Sequence, residues 1–375
     1  MPIRSSVAAL ALLAVTQHAV PQTLDFEASQ FQLFDLEERL SAGVDLADAD
    51  GDGDLDVFLA NGRHWAQPDF LYLNVEDGWL PVSRQIGKDN GPSYIIRAGD
   101  LDGDGDADAV VVRDSVPAQV FLNDGTAHFT LAGNVEGSDG PARNALLTDL
   151  TGDGVPDLVT VQRRGGVRLF AGLGDGSFVT PISLPGDLNG STGIDMADFN
   201  RDGRPDLAIA CRDGGPSYVL FNMGPDGWAA EPLPESAGDH RQTVAGDFNR
   251  DGNADIVLGS TGGTMKMKLG DGGGNFTPGR TLGEEGRAIQ SLAADDFDGD
   301  GDLDIVEGTR EQTNRVYVND GHARFAPIEL DDLEADTYGI ATGDMDGDGL
   351  PDLVFANSGA PNLVMLSRVS PATEG

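Results

Sequence analysis

Seven aspartate loops of nine residues recur along this chain, and few folds accept such a pattern. They read DADGDGDLD from Asp48, DLDGDGDAD from Asp100, DLTGDGVPD from Asp149, DFNRDGRPD from Asp198, DFNRDGNAD from Asp247, DFDGDGDLD from Asp296 and DMDGDGLPD from Asp344. Successive starts lie 52, 49, 49, 49, 49 and 48 residues apart. So constant a period means a repeat architecture.

Each unit has one grammar. A short apolar run such as YIIRAGD leads into the loop, and an apolar strand such as AVVVR or LAIAC leaves it. A third strand follows, as in AQVFLND, and then a Gly-rich turn before an aromatic, as in NDGTAHF. That makes four short strands joined by hairpin turns, and no segment keeps helical periodicity for three turns. Four strands per repeat of roughly 40–50 residues predicts a blade of a β-propeller. The expected fold is therefore all-β, a seven-bladed propeller of four-stranded antiparallel blades. The seventh unit stops after its third strand, Asn362–Arg368, whereas Phe26–Phe34 supplies an aromatic strand ahead of the first unit. The N-terminal strand is expected to complete the last blade, closing the ring and removing the sheet edges that invite aggregation.

These units resemble FG-GAP/VCBS repeats, the calcium-binding propeller blades of integrin alpha subunits and of many secreted bacterial proteins. The resemblance spans about residues 26–370 and rests on the seven in-phase loops.

The loops also ask for a cation. Two carboxylates about 4 Å apart repel by roughly 4 kcal/mol at an effective dielectric near 20. Positions 1, 5 and 9 are Asp in every loop: Asp48, Asp52 and Asp56; Asp100, Asp104 and Asp108; Asp149, Asp153 and Asp157; Asp198, Asp202 and Asp206; Asp247, Asp251 and Asp255; Asp296, Asp300 and Asp304; Asp344, Asp348 and Asp352. Position 3 is Asp50, Asp102, Thr151, Asn200, Asn249, Asp298 or Asp346. Position 7 varies and is acidic at Asp54, Asp106 and Asp302, and position 6 is always Gly. Oxygen ligands without His or Cys select a hard cation, and ligands at 1, 3 and 5 with Gly at 6 fit Ca²⁺. An EF-hand is excluded, because position 12 is apolar (Leu59 in the first loop) and no helices flank the loops. Up to seven structural Ca²⁺ are expected, moving the formal charge from −39 to −25. Arg201, Arg204 and Arg250 lie inside the fourth and fifth loops and are expected to weaken them.

The −39 charge, from 63 acidic and 24 basic residues, disfavours nucleic acid and anionic membranes as partners. MPIRSS followed by the apolar Val7–Val15 reads as a secretory signal over residues 1–22, cut between 19 and 23. A single propeller is expected over 23–370, then a short tail over 371–375. No later segment is long and apolar enough to cross a membrane, and the single Cys211 forms no internal disulfide. The expected location is secreted, periplasmic or cell-surface, and the expected form monomeric.

The face opposite the loops carries the variable connections, where binding residues gather on a rigid scaffold. Five residues after each position 9 stand Asn61, Arg113, Gln162, Cys211, Ser260, Thr309 and Asn357, expected to ring the channel. Arg163, Arg212 and Arg310 follow by one residue, with Arg63, His64, Trp65 and Arg164 nearby. Connections between blades add Tyr94, Arg143, His240, Arg241, Arg287 and Tyr338. The candidate ligand-binding set is Arg63, Trp65, Arg113, Arg163, Arg212, Arg241 and Arg310, suited to an anionic glycan or an acidic protein segment. Glu307 is a carboxylate at a mostly apolar strand position, a candidate acid of shifted pKa, and is expected to pair with a neighbouring Arg or water. No catalytic residues are assigned. The reading is an extracellular binding or adhesion module. The alternatives are a polysaccharide lyase, in which Arg241, His240, Tyr338 and Tyr94 serve, and a structural component of the cell envelope.

Overall fold

The computed structural model describes residues 22–28, 33–330 and 333–371. The expected signal segment, apart from its last residue, and the tail after Pro371 lie outside the described residues. Among them the chain is all β apart from one short 3₁₀ turn, Gly224–Asp226. No helix of the described residues is long and apolar enough to cross a membrane.

Each repeat is a four-stranded antiparallel sheet. The first comprises Ser41–Ala47, Asp56–Asn61, Gln67–Leu73 and Val82–Gly91. Its first strand is innermost, and its counterparts are Ser93–Gly99, Ala142–Thr148, Ser191–Ala197, His240–Gly246, Ile289–Asp295 and Ala335–Gly343. Each inner strand touches those of the two neighbouring sheets, and the last touches the first, so the ring is closed. The second strands are sandwiched between adjacent sheets; Asp56–Asn61, Asp157–Gln162 and Asp206–Cys211 are buried along their whole length. This is why they read as continuous apolar runs instead of alternating.

The seam matches the expectation. Gln22–Glu27 pairs antiparallel with Asn362–Pro371, from Gln22 opposite Pro371 to Glu27 opposite Leu366, and forms the outer strand of the seventh blade. The strand starts earlier than the expected Phe26, and Leu33–Phe34 adds a second short pairing at Leu363 and Asn362. Phe26 is buried against Phe297 of the sixth blade, ring centroids 5.9 Å apart. Blades six and seven are further joined where the long strand Asp304–Gln312 pairs with Ala335–Gly343.

Position 9 of every loop organises its blade. These aspartates are buried, and in all seven Oδ1 accepts a backbone N–H from the third strand or its end, as Asn74 N–H to Asp56 (2.9 Å) and Ser367 N–H to Asp352 (2.7 Å). In six, Oδ2 also accepts the position 2 N–H, as Ala49 to Asp56 at 2.9 Å. Asparagines then tie blades together. Asn74 donates its amide to the Met345 carbonyl (2.8 Å), Asn123 to Ala49 (2.7 Å), Asn222 to Leu150 (2.9 Å) and Asn319 to Phe248 (2.8 Å), each time reaching the preceding blade.

A different carboxylate joins blades one and two. Asp69 accepts the Asn61 N–H and the Ser93 hydroxyl, both at 2.8 Å. Burial pushes its carboxyl up to about 7, against those hydrogen bonds and the charge of Arg113. An unfolded Asp titrates near 3.9, so between about pH 4 and 7 the folded chain holds a proton that the unfolded chain has released. This group's contribution is present at low pH and is lost as pH rises through that window. Asp69→Asn is expected to flatten the decline of stability by about one proton, measured as urea unfolding against pH in variant and parent. Phe26→Ala, at the seam, is expected to destabilise by about 3 kcal/mol in the same assay.

Candidate functional site

Two sites face opposite ends of the ring, because every aspartate loop joins an inner strand to a second strand at one face. In the first loop, Asp48 accepts the N–H groups of Gly51 (2.7 Å) and Gly53 (3.0 Å), and Asp52 accepts that of Asp54 (3.0 Å). Equivalent bonds recur in the other loops and turn the chain tightly around its carboxylates. Oxygens of Asp48, Asp50 and Asp56 lie within 4.8 Å of one another, as do those of Asp100, Asp102 and Asp108; Asp296, Asp298 and Asp300; and Asp344, Asp346 and Asp348. Asp50 Oδ1 and Asp296 Oδ1 are buried with no hydrogen-bond partner. Burial, with like-charged neighbours adding to it, pushes Asp56, Asp255, Asp304 and Asp352 up to about 7. An all-oxygen donor set with orphaned lone pairs suits a hard cation.

Cationic side chains enter these loops from neighbours. Arg250 of the fifth loop reaches into the sixth, where it pairs with Asp302 and donates to the Asp300 carbonyl. Arg201 of the fourth reaches the Gly252 carbonyl of the fifth, while Arg204 pairs with Asp202 in its own loop. Arg368, which the sequence reading passed over, binds Asp346 (2.6 Å) and Asp348 (3.0 Å) of the seventh. At position 7 the Asp106 carboxylate lies against the turn of its own blade, and a Cβ on Gly125 would stand 2.6 Å from it.

The other site is the channel. Pairing between inner and second strands slips by one residue in every blade, and the skipped residues are Ala42, Tyr94, Arg143, Thr192, Arg241, Gln290 and Tyr338. A bulge re-aims the unpaired side chain. All seven line one cavity of about 200 Å³, one from each blade. Loop residues Arg63, His64, Arg163 and Arg212 form its rim, and Arg97 lies deeper. Six arginines thus line the cavity, and among the described residues no acidic one does.

Several rim cations are compensated from outside. Arg143 (3.0 Å) and His64 (2.6 Å) meet Asp114, whose carboxyl they hold below its ordinary value although burial works the other way. His64 also contacts the Tyr94 hydroxyl at 3.1 Å. Arg163 meets Asp213 (3.1 Å) and Arg212 meets Asp239 (2.8 Å). Burial raises Asp239, but hydrogen bonds from Arg212 and Thr261 bring it down to about 2. Trp65 stands 69% exposed on the loop that carries Arg63 and His64.

Other expected residues lie elsewhere. The ring expected from Asn61 to Asn357 is inside the blades, because those positions pair with the residue before each bulge: Ser41 faces Asn61 and Ser191 faces Cys211. Asn61, Gln162, Cys211, Thr309 and Asn357 are buried there. Arg113 turns back on the Pro117 carbonyl (2.8 Å), away from the cavity. Arg310 sits where blades six and seven join, near Asp336 (3.7 Å) and Glu311 (3.6 Å). His240 is buried in its strand, and burial and Lys266 push its imidazole down to about 4. Arg287 is buried against Glu307, Nε to Oε1 2.5 Å, which supplies the expected partner of that carboxylate and removes Arg287 from the face. The sequence reading missed Arg97, Thr192 and Gln290, although Thr192 and Gln290 share one position of the repeat with Arg143 and Arg241.

No curated protein sequence matches the chain significantly. The solved structures it resembles include the BP39L lectin from Burkholderia pseudomallei, at 14% identity and TM-score 0.69, covering 90% of this chain and 98% of that one. They also include an Agrocybe aegerita lectin that recognises non-reducing terminal N-acetylglucosamine, at 19% identity, TM-score 0.59 and 86% of both chains. YCF48 from Cyanidioschyzon merolae is a third, at 12% identity and TM-score 0.58, covering 92% and 98%. At these identities the likeness is one of fold, a β-propeller. The profile of the FG-GAP-like repeat matches residues 48–111, 149–209, 199–258, 247–307 and 296–355. With more than half its length matched, in phase with the aspartate loops, this chain belongs to the FG-GAP-like repeat family.

Proposed function

We propose that the chain is a calcium-stabilised propeller that binds an anionic glycan at the channel mouth opposite the aspartate loops. The observation that carries this reading is the cavity lined by six arginines and, among the described residues, no acidic one, in a chain of net charge −39. Arg offers a planar fork for carboxylate, sulfate or phosphate. The exposed Trp65 favours a sugar over a peptide, since a flat aromatic face suits a sugar ring. Lectins among proteins of the same fold accord with this use of a propeller, without bearing on the ligand.

Ca²⁺ is the proposed structural ion of the loops, held by side-chain oxygens of positions 1, 3, 5 and 9, with Thr or Asn in place of Asp at position 3 of the third, fourth and fifth loops. Extracellular calcium modules bind at about 10⁻⁴–10⁻³ M, which fits the expected export of the chain through its N-terminal segment. Chelation is expected to lower the melting temperature by on the order of 10 °C, recovered by added Ca²⁺. An unchanged melting curve in excess EDTA would remove the ion from this account. On an array of acidic and neutral glycans, the triple variant Trp65→Ala, Arg163→Gln, Arg212→Gln is expected to lose most binding to the acidic ones. Retained binding there would place the ligand elsewhere.

A further inference from the structure

Three of the six cavity arginines have carboxylate partners, and three do not. Arg97 is occupied by carbonyls, donating to Ala145 (2.9 Å) and Ile96 (3.1 Å), with Asp45 and Asp195 close enough to feel its charge. Arg63 and Arg241 differ from the rest. Among the described residues no carboxylate lies within ion-pair reach of either. Both guanidinium groups sit over the same ring, that of Tyr338, at 3.7 Å and 4.7 Å from its centroid. Arg63 donates to the Tyr338 hydroxyl (2.6 Å) and Ser358 Oγ (3.1 Å), and its buried Nε has no partner. Arg241 is held under the repulsion of Arg212 and Arg63. Like charges brought together in a half-buried site call for a counter-charge.

The cavity also has a floor. Arg97 donates to Asn144 Oδ1 (3.4 Å), and the Asn144 amide donates to Gln242 Oε1 (3.1 Å), a chain of side chains from blades two, three and five. Gly193 of the fourth blade leaves room for that span, since a Cβ there would come within 2.5 Å of Gln242 Oε1. Above the floor the volume is about 200 Å³, below the roughly 300–1,000 Å³ of sites for drug-sized ligands. It admits one small group and not a stretch of polymer.

We infer that Arg63 and Arg241, braced on Tyr338, seat one compact oxyanion, the carboxylate, sulfate or phosphate carried by a single sugar residue that enters end-on. This rests on the proposed binding of an anionic glycan at the mouth, and it assigns the charged group and its depth. The planar fork of each arginine can donate to two oxygens, so one carboxylate, sulfate or phosphate can accept from both arginines at once.

The test uses the full calcium-loaded chain and titration calorimetry with four probes: galacturonic acid, galactose 6-sulfate, galactose 6-phosphate and galactose. At least one anionic sugar is expected to bind at one site per chain and galactose not to bind; the three arms identify the oxyanion. Arg63→Gln with Arg241→Gln is expected to weaken that binding roughly tenfold or more, while Arg280→Gln, on the outer strand of blade five, leaves it unchanged. Because the double variant risks misfolding, a second measurement uses the parent chain. The bound sugar is expected to shield Arg63 and Arg241, but not Arg280, from an arginine-modifying dicarbonyl, read by peptide mass spectrometry. Binding that survives the double variant, or no shielding, overturns the seat. If no monosaccharide binds but acidic oligosaccharides still do, the seat falls and the binding reading stands; if neither binds, both fall.

Discussion

A buried carboxylate that accepts two backbone amides is the joint on which each blade turns. The aspartate at position 9 fixes the end of the loop to the third strand, and in most blades it also fixes position 2. Such a group is costly to bury unless its oxygens are satisfied, and removing one partner strands the other. The remaining loop carboxylates are gathered near it, with the loop wound around them by its own amides. The tie therefore has two consequences: a fixed blade geometry, and a cluster of negative charge at one face. The asparagines that begin or follow the same turn carry the geometry from blade to blade, so the joint is shared around part of the ring.

Much of this was legible in the sequence, for a physical reason. A loop whose aspartates recur at fixed phase advertises its own period, and the apolar runs beside it mark second strands buried on both faces. The missing fourth strand of the last unit likewise pointed to the seam, because an unpaired edge needs a partner. The channel was less legible. Counting forward from position 9 selected residues such as Asn61 and Cys211, which lie within the sheet. The positions that enter the channel do so because a bulge interrupts pairing at each inner strand, and a one-residue slip changes which face a side chain takes. Nothing in residue type distinguishes Ala42 from Thr192 or Tyr338 as occupants of one structural position. The repeat frame aligns them, six residues before each loop, but only the bulge shows that this position enters the channel. Arg113 illustrates the same limit: its charge suggested a ligand, but its reach is spent on a neighbouring carbonyl.

The two ends of the ring differ in sign. Carboxylates crowd the loop face, and guanidinium groups crowd the channel within a chain that is otherwise strongly acidic. An acidic surround steers cations broadly but leaves the mouth as a local exception, so an anion gains only at close range, where the arginines outweigh the general field. Such an arrangement favours selectivity over speed of capture. Salt that screens the outer repulsion leaves the half-buried guanidinium contacts comparatively intact.

The seam sets an order on the birth of the molecule. Six blades are assembled from neighbouring stretches of chain and need little more than local closure. The last needs Gln22–Glu27 to find Asn362–Pro371 across nearly the whole polypeptide. The entropic cost of so long a closure grows only slowly with length, but it is met late. During synthesis the earliest strand emerges first and waits, unpaired, until the final one is released. The nascent wheel is thus an open arc with two sticky ends for most of its history, and two arcs that meet before either seals would exchange their first strands.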